Sequence, residues 1–104
     1  MASVDHSVTV CRDIEDLIPA FLNNRRKEVR ALRFALEWRN FERIAYLGNR
    51  MRGCGIPYGF DHVSILGRYI AEAAETGNSE LLADKIAEYA TYLARVQISF
   101  ADQP

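Results

Sequence analysis

Residues Phe41 to Phe60 read FERIAYLGNRMRGCGIPYGF, and this stretch decides how the rest of the chain is interpreted. Its first part predicts an amphipathic helix, because its apolar residues fall on one side of a helical wheel that advances about 100° per residue. The glycines and the proline at its end predict a stop and a turn. The apolar side of this predicted helix carries Ile44, Leu47, Met51 and Cys54.

The opposite side of the same helix is polar, and Asn49 lies at its centre. Tyr46, Arg52 and Gly53 share this side with Asn49, because residues three and four positions apart are neighbours on a helix. We therefore expect Asn49 to point into solvent, with a cation and a stretch of bare backbone beside it.

The run Gly48-Asn49-Arg50-Met51-Arg52-Gly53 resembles the signature of the histidine phosphotransfer (Hpt) family. In that signature, a phospho-accepting histidine is followed by any residue, an apolar residue, lysine and glycine. Met51, Arg52 and Gly53 match the last three positions, and Asn49 occupies the position of the histidine. The resemblance extends from about Ile14 to about Phe100, and it includes the run at 24–26, the turn at 58–60 and the helix at 65–67.

The resemblance implies an all-α fold, an up-down-up-down antiparallel four-helix bundle with a short N-terminal arm and helical turn. Hpt domains exchange a phosphoryl group between an imidazole nitrogen and the aspartate of a receiver domain. Asparagine cannot do this, since its nitrogen lone pair is delocalised into the carbonyl group. We therefore expect no phosphotransfer and no enzymatic activity, but docking to the receiver domain of a response regulator or to a histidine kinase. The expected docking surface comprises Asn49, Tyr46, Arg50, Arg52, Gly53 and Ile56.

Two other functions fit the sequence. The chain could be an active phosphotransfer protein whose histidine was substituted at position 49 or is replaced by His62. It could also be a non-signalling helical module that forms a homodimer, with an exposed apolar patch around Phe100, Tyr89 and Tyr92.

Apolar periodicity elsewhere predicts three further helices with short links, which agrees with a bundle. Trp38 is expected to close the first helix against the core. Val4, Val8 and Val10 alternate in the N-terminal segment, but no partner strand is evident. We therefore predict an arm at 1–12, the bundle at 13–100 and a loose tail at 101–104.

The composition fits one small domain of 104 residues with a net charge of −1, so no general attraction to nucleic acid or membranes is expected. The charge is unevenly distributed, however. Residues 25–52 contain nine cations and three anions, whereas the chain from residue 61 onward contains three cations and seven anions. This asymmetry favours docking to an acidic protein surface.

Two cysteines and two histidines are too widely spaced to predict a metal site. Cys54 is expected to be inert packing, and His6 is expected to lie outside the bundle. No cofactor motif is present. We expect a cytoplasmic location, because no secretory signal and no long apolar run are visible.

Overall fold

The structure of this chain, a computed structural model, describes residues 6–102. Val4 of the expected arm and residues 103–104 of the expected tail lie outside this range. The secondary structure, in chain order, is β1 (Ser7–Cys11), a 3₁₀ helix (Arg12–Leu17), α1 (Ile18–Glu37), α2 (Phe41–Cys54), a second 3₁₀ helix (Ile56–Tyr58), α3 (Asp61–Glu75), α4 (Ser79–Arg95) and β2 (Gln97–Ala101).

Four α-helices surround one apolar core in the described part of the chain, which confirms the predicted number of main helices and the mostly helical fold. Helix α1 packs on α2 and α4, and α3 packs on the same two helices. Burial of each large apolar side chain contributes about 1.5–3 kcal/mol to stability. The completely or almost completely buried side chains include Leu32, Ile44, Leu66, Ile70, Leu82 and Ile86.

Helices α2 and α3 approach each other closely where Gly48 faces Gly67. A Cβ atom on Gly67 would lie 2.5 Å from the Gly48 carbonyl oxygen and 2.6 Å from the Arg52 nitrogen. A Cβ atom on Gly48 would lie 2.8 Å from the Ala71 nitrogen. The two backbones can meet here only because both residues are glycine. This contact fixes the rotation of α2 about its own axis and so determines which of its side chains face solvent.

Short polar side chains begin two of the helices. The Asn40 side chain accepts a hydrogen bond from the Arg43 amide at 3.1 Å, and Asn78 accepts one from the Leu81 amide at 3.1 Å. Each bond satisfies an amide that has no partner within the first turn of its helix. Gly77, with a φ of 66°, ends the preceding helix in the left-handed conformation.

Residues 7–11 do have a partner strand, so the expectation of an unpaired arm was wrong. Strand β1 pairs in parallel with β2, and Val8 lies opposite Ile98 and Val10 opposite Phe100. Val10 is 1% exposed, so this strand contributes to the core. The alternation of Ile98 and Phe100 matches that of the N-terminal valines, but the two segments are about 90 residues apart in the sequence.

The expectation about Trp38 was also wrong. Trp38 does not close α1 against the core: it is 70% exposed, and its neighbour Phe34 is 66% exposed. The exposed apolar patch around Phe100, Tyr89 and Tyr92, which would have favoured the alternative of a homodimerising module, is not formed, because Tyr89 and Tyr92 are buried and Phe100 is half-buried. Two neighbouring exposed aromatic side chains, Phe34 and Trp38, therefore lie at the end of α1.

A buried polar cluster connects three helices near the centre of the molecule. The Arg25 guanidinium lies 3.0 Å from the Glu28 carboxylate, and the Tyr89 hydroxyl donates a 2.7 Å hydrogen bond to the same carboxylate. Arg25 also donates to the Cys54 sulfur at 3.2 Å. Helix α1 is thereby joined to α4 and to the end of α2, and two buried charges compensate each other.

Candidate functional site

The candidate site is the outer face of α2. Asn49 is exposed in the middle of this helix, and Arg50, Arg52 and Gly53 around it are exposed as well. The α2–α3 contact lies on the other side of α2, so no helix within residues 6–102 packs on this face. The side chains of Asn49, Arg50 and Arg52 are polar, and the two arginines carry a positive charge.

Gly53 differs from the other glycines around α2 because nothing in the fold requires it. A Cβ atom on Gly53 would meet no heavy atom of residues 6–102 within 4 Å, whereas a Cβ atom on Gly55 would lie 2.6 Å from the Ser64 amide nitrogen. Gly53 also lies inside a helix, where glycine costs roughly 0.5–1 kcal/mol relative to alanine. The described structure therefore gives no internal reason for a glycine at this position.

Tyr46 is 53% exposed and is brought together with two arginines of the same helix. The guanidinium carbon of Arg43 lies 5.5 Å from the centre of the Tyr46 ring, and that of Arg50 lies 5.9 Å from it. Such cation–π contacts hold long side chains close to an aromatic face. The ring and the two cations form a pre-arranged basic surface on the α1 side of Asn49.

Arg52 and Ile56 meet on the other flank, where the end of α2 lies beside α3. Together with Ser64, Ile65 and Arg68 they line an open cavity of about 290 Å³. The Ser64 hydroxyl accepts a 2.9 Å hydrogen bond from the Ile56 amide and so holds the second 3₁₀ helix against α3. Ile56 is 61% exposed and Ile65 45% exposed. This flank therefore combines two cations with two exposed apolar side chains.

Ile65 and Arg68 were missed in the sequence. Both lie on α3, which the sequence assigned to core packing, and only the contact between α2 and α3 brings them to Arg52. Their spacing of three residues places them on one side of the helix, apart from the buried stripe of Val63, Leu66 and Ile70. That separation is the signal that could have identified them.

His62 lies in a different environment from Asn49. Its ring is half-buried and is packed 4.8 Å from the Tyr92 ring and 5.6 Å from the His6 ring, measured between ring centres. Its Nε2 atom is 3.3 Å from the Glu88 carboxylate, although without hydrogen-bond geometry. Burial lowers the pKa of His62, and the nearby Glu88 acts in the opposite direction. The Nε2 atom is buried, so it is not presented to solvent on an exposed helix face.

His6 does not lie outside the bundle as expected. Its ring is half-buried and meets Tyr92 edge to face, with ring centres 5.1 Å apart. His6, His62, Asp61 and Tyr92 line part of an open cavity of about 370 Å³ beside β1. Burial, with a contribution from Asp61, raises the pKa of Tyr92 to about 12.

Cys54 is half-buried beside Arg25, and its thiol also contacts the Met51 carbonyl oxygen at 3.6 Å. Burial raises the pKa of the Cys54 thiol, so the protonated form dominates near neutral pH. Within residues 6–102, no three side chains of histidine, cysteine, aspartate or glutamate converge where they could hold a metal ion.

No protein-family model, curated protein or solved structure matches this chain. The function must therefore be inferred from the site itself. Crossing a bilayer requires a length and an apolar character that none of the helices within residues 6–102 has.

Proposed function

We propose that this protein is an interaction module that docks the receiver domain of a response regulator, or a histidine kinase, without accepting a phosphoryl group. The observation that carries the proposal is Gly53, which leaves the backbone of α2 open to contact from outside and has no role in internal packing. Gly53 lies one turn from Asn49, on the same exposed face. A partner surface could approach this part of α2 more closely than any side chain would permit.

Charge and apolar surface around Gly53 support the same function. A receiver domain presents a carboxylate-lined pocket, and Arg52 and Arg50 lie on either side of Asn49 on the exposed face. A guanidinium binds carboxylate or phosphoryl oxygens in a bidentate manner, which lysine cannot do. Ile56 and Ile65 add exposed apolar surface next to these cations. A transient interface of this kind can be small, below about 1,200 Å² in total.

The same geometry explains why phosphate would not be transferred. Asn49 occupies the position at which phosphotransfer needs a nucleophile that is exposed and free for in-line attack. Its carboxamide is exposed but is not a nucleophile and does not titrate near neutral pH. The protein would then compete with active phosphotransfer partners, or sequester their receivers.

The proposal includes an Hpt-like up-down-up-down arrangement of the four helices. The links at 38–40 and 76–78 are three residues long, which favours antiparallel neighbours. Each helix also packs on two others in a closed ring. His62 is a poorer phospho-acceptor than a histidine at position 49 would be, because its ring is packed against two aromatic rings and Glu88.

A binding experiment with phosphorylated receiver domains tests the proposal. Receiver domains are phosphorylated with labelled acetyl phosphate and mixed with the wild-type protein, with Arg52→Glu and with Arg95→Glu. We expect binding by wild type and Arg95→Glu, at least about tenfold weaker binding by Arg52→Glu, and no label on any of them. Arg95 is an exposed cation on α4 and controls for the change in net charge. Stable label on the wild-type protein, or equal binding by the two variants, would reject the proposal.

A further inference from the structure

A second surface lies between α1 and α2, on the side of α2 away from α3. There an open groove with a volume of about 300 Å³ separates the two helices. Lys27 and Ala31 of α1 form one wall, and Arg43, Leu47 and Arg50 of α2 form the other. The apolar side chains of Ala31 and Leu47 thus lie between cations on both rims, and Asn24, Arg25 and Glu28 complete the lining.

The positive charge of this groove is not compensated from within the described part of the protein. No carboxylate of residues 6–102 lies within 4.0 Å of the charged groups of Lys27, Arg43 or Arg50. Glu28 also lines the groove, but it is only 5% exposed, and Arg25 and Tyr89 already contact its carboxylate. The three exposed cations therefore face solvent as a group.

Exposed aromatic side chains continue the α1 wall of the groove. Lys27, Ala31, Phe34 and Trp38 follow one another at spacings of four, three and four residues, so they lie along one side of α1. The Phe34 and Trp38 rings are in contact, with centres 6.3 Å apart, and each is about two-thirds exposed. A patch of two neighbouring, exposed aromatic rings at the end of a basic groove is typical of a binding surface.

We propose that this groove and the Phe34–Trp38 patch together bind an acidic amphipathic helix of a protein partner. The cations on the two rims would contact its carboxylates, and the aromatic patch would bind an apolar side chain near one end. From Lys27 to Trp38 the surface is about 16 Å long, which corresponds to about three turns of a bound helix. This surface lies on the opposite flank of α2 from Arg52 and Ile56 and shares Arg50 with the proposed receiver-docking surface, so its test uses Lys27 and Arg43, which lie outside that surface.

The exposed aromatic rings of Tyr46, Phe34 and Trp38 are less suited to binding single-stranded nucleic acid. Bases need free aromatic faces on which to stack, but Tyr46 already contacts two guanidinium groups. Phe34 and Trp38 are tilted 55° to each other, so they do not form a parallel pair between which a base could insert. The whole chain also carries a net charge of −1, which gives a polyanion no general attraction.

Trp38 is the only tryptophan of the chain and therefore reports on this surface. The probe is a synthetic helical peptide of about 14 residues, or four turns, with leucine on one face and glutamate on the other. Covering Trp38 should shift its emission to shorter wavelength in a saturable manner. A peptide with serine in place of leucine, and a thymidine oligonucleotide of equal charge, are titrated in parallel. We expect the leucine peptide to bind at least about tenfold more tightly than either.

Charge-reversal variants locate the binding site. Lys27→Glu and Arg43→Glu should each weaken binding of the leucine peptide about tenfold, while Arg95→Glu, with the same net charge, should leave it nearly unchanged. The replaced side chains are all exposed, and circular dichroism checks that each variant is folded. Equal binding of the leucine and serine peptides, equal effects of the three variants, or tighter binding of the oligonucleotide would overturn the proposal. Loss of receiver binding by Arg52→Glu alone would leave it intact.

Discussion

Gly48 and Gly67 face each other across the α2–α3 contact so closely that a Cβ atom on Gly67 would lie 2.5 Å from the Gly48 carbonyl oxygen. Five residues along the same helix from Gly48, Gly53 borders open space. The two glycines of α2 therefore serve different purposes. Gly48 is needed for packing within the fold, and Gly53 has a role only if something outside the fold approaches it.

We therefore predict opposite effects of alanine at these two positions. Gly48→Ala should lower the free energy of unfolding by about 1–3 kcal/mol, because the added methyl group meets the backbone of α3. Gly53→Ala should leave it unchanged or raise it by up to about 1 kcal/mol, because alanine favours the helix. Urea denaturation measures the free energy of unfolding of both variants. Equal destabilisation by the two substitutions would contradict the packing described for α2.

Removal of one hydroxyl should disturb the buried polar cluster. Tyr89→Phe eliminates the 2.7 Å hydrogen bond to Glu28 and leaves a buried carboxylate with one partner fewer. We expect a loss of about 1–3 kcal/mol in the free energy of unfolding. Tyr92→Phe is the matched control, because the Tyr92 hydroxyl has no hydrogen-bond partner within residues 6–102. A loss for Tyr92→Phe as large as that for Tyr89→Phe would contradict this assignment.

Restoring a nucleophile at position 49 tests whether the docking surface is complete. Asn49→His places an imidazole on an exposed helix face with Arg52 and Gly53 beside it. If the proposed docking is right, this variant should take up labelled phosphate from a phosphorylated receiver domain, and Asn49→Gln should not. Uptake is measured by gel autoradiography. A variant that binds the receiver but remains unlabelled would show that more than the nucleophile is missing from the site.

Acid should destabilise the protein through His62. Burial lowers the pKa of His62 below its ordinary value of 6.5, so the unfolded chain binds a proton more readily than the folded one. The stability that neutral His62 contributes is fully present above pH 6.5. It declines as the pH falls from 6.5 to the lower pKa of His62 in the folded state. The urea midpoint of the wild type should therefore drop between pH 7.5 and pH 5.5.

His62→Gln tests the origin of that decline. Glutamine has no proton to gain in this range, so the variant should show a smaller drop in the urea midpoint over the same two pH values. His6→Gln is the companion variant, because His6 is the other histidine of the cluster. A wild-type drop that His62→Gln leaves unchanged would assign the pH dependence to other groups.

The helices could be predicted from the sequence because their signals are local. The apolar spacing predicted a helix in the first part of Phe41 to Phe60 and a turn at its end, and the structure has α2 at Phe41–Cys54. Asn49 was expected to face outward on the basis of the wheel alone, and it is exposed. Features that depend on spacings of three and four residues could therefore be predicted from the sequence.

What the sequence did not reveal depends on contacts between distant segments. The β1–β2 pair joins residues about 90 positions apart, and no local pattern identifies which strand pairs with which. Arg25 was counted only as one of the nine cations of residues 25–52, but it is buried beside Glu28, whose carboxylate Tyr89 of α4 also contacts. Trp38 was expected to close the first helix against the core, but α1 ends one residue before it and its side chain is exposed.

The parallel pairing of β1 and β2 has a mechanical consequence. A pull on the residues before Ser7 and after Ala101 acts in opposite directions along two strands that run the same way. The force would then act parallel to the strands, so the hydrogen bonds between β1 and β2 would be loaded in shear and would resist it together. The β1–β2 pair would therefore have to separate before the pulling force is transmitted to the helices.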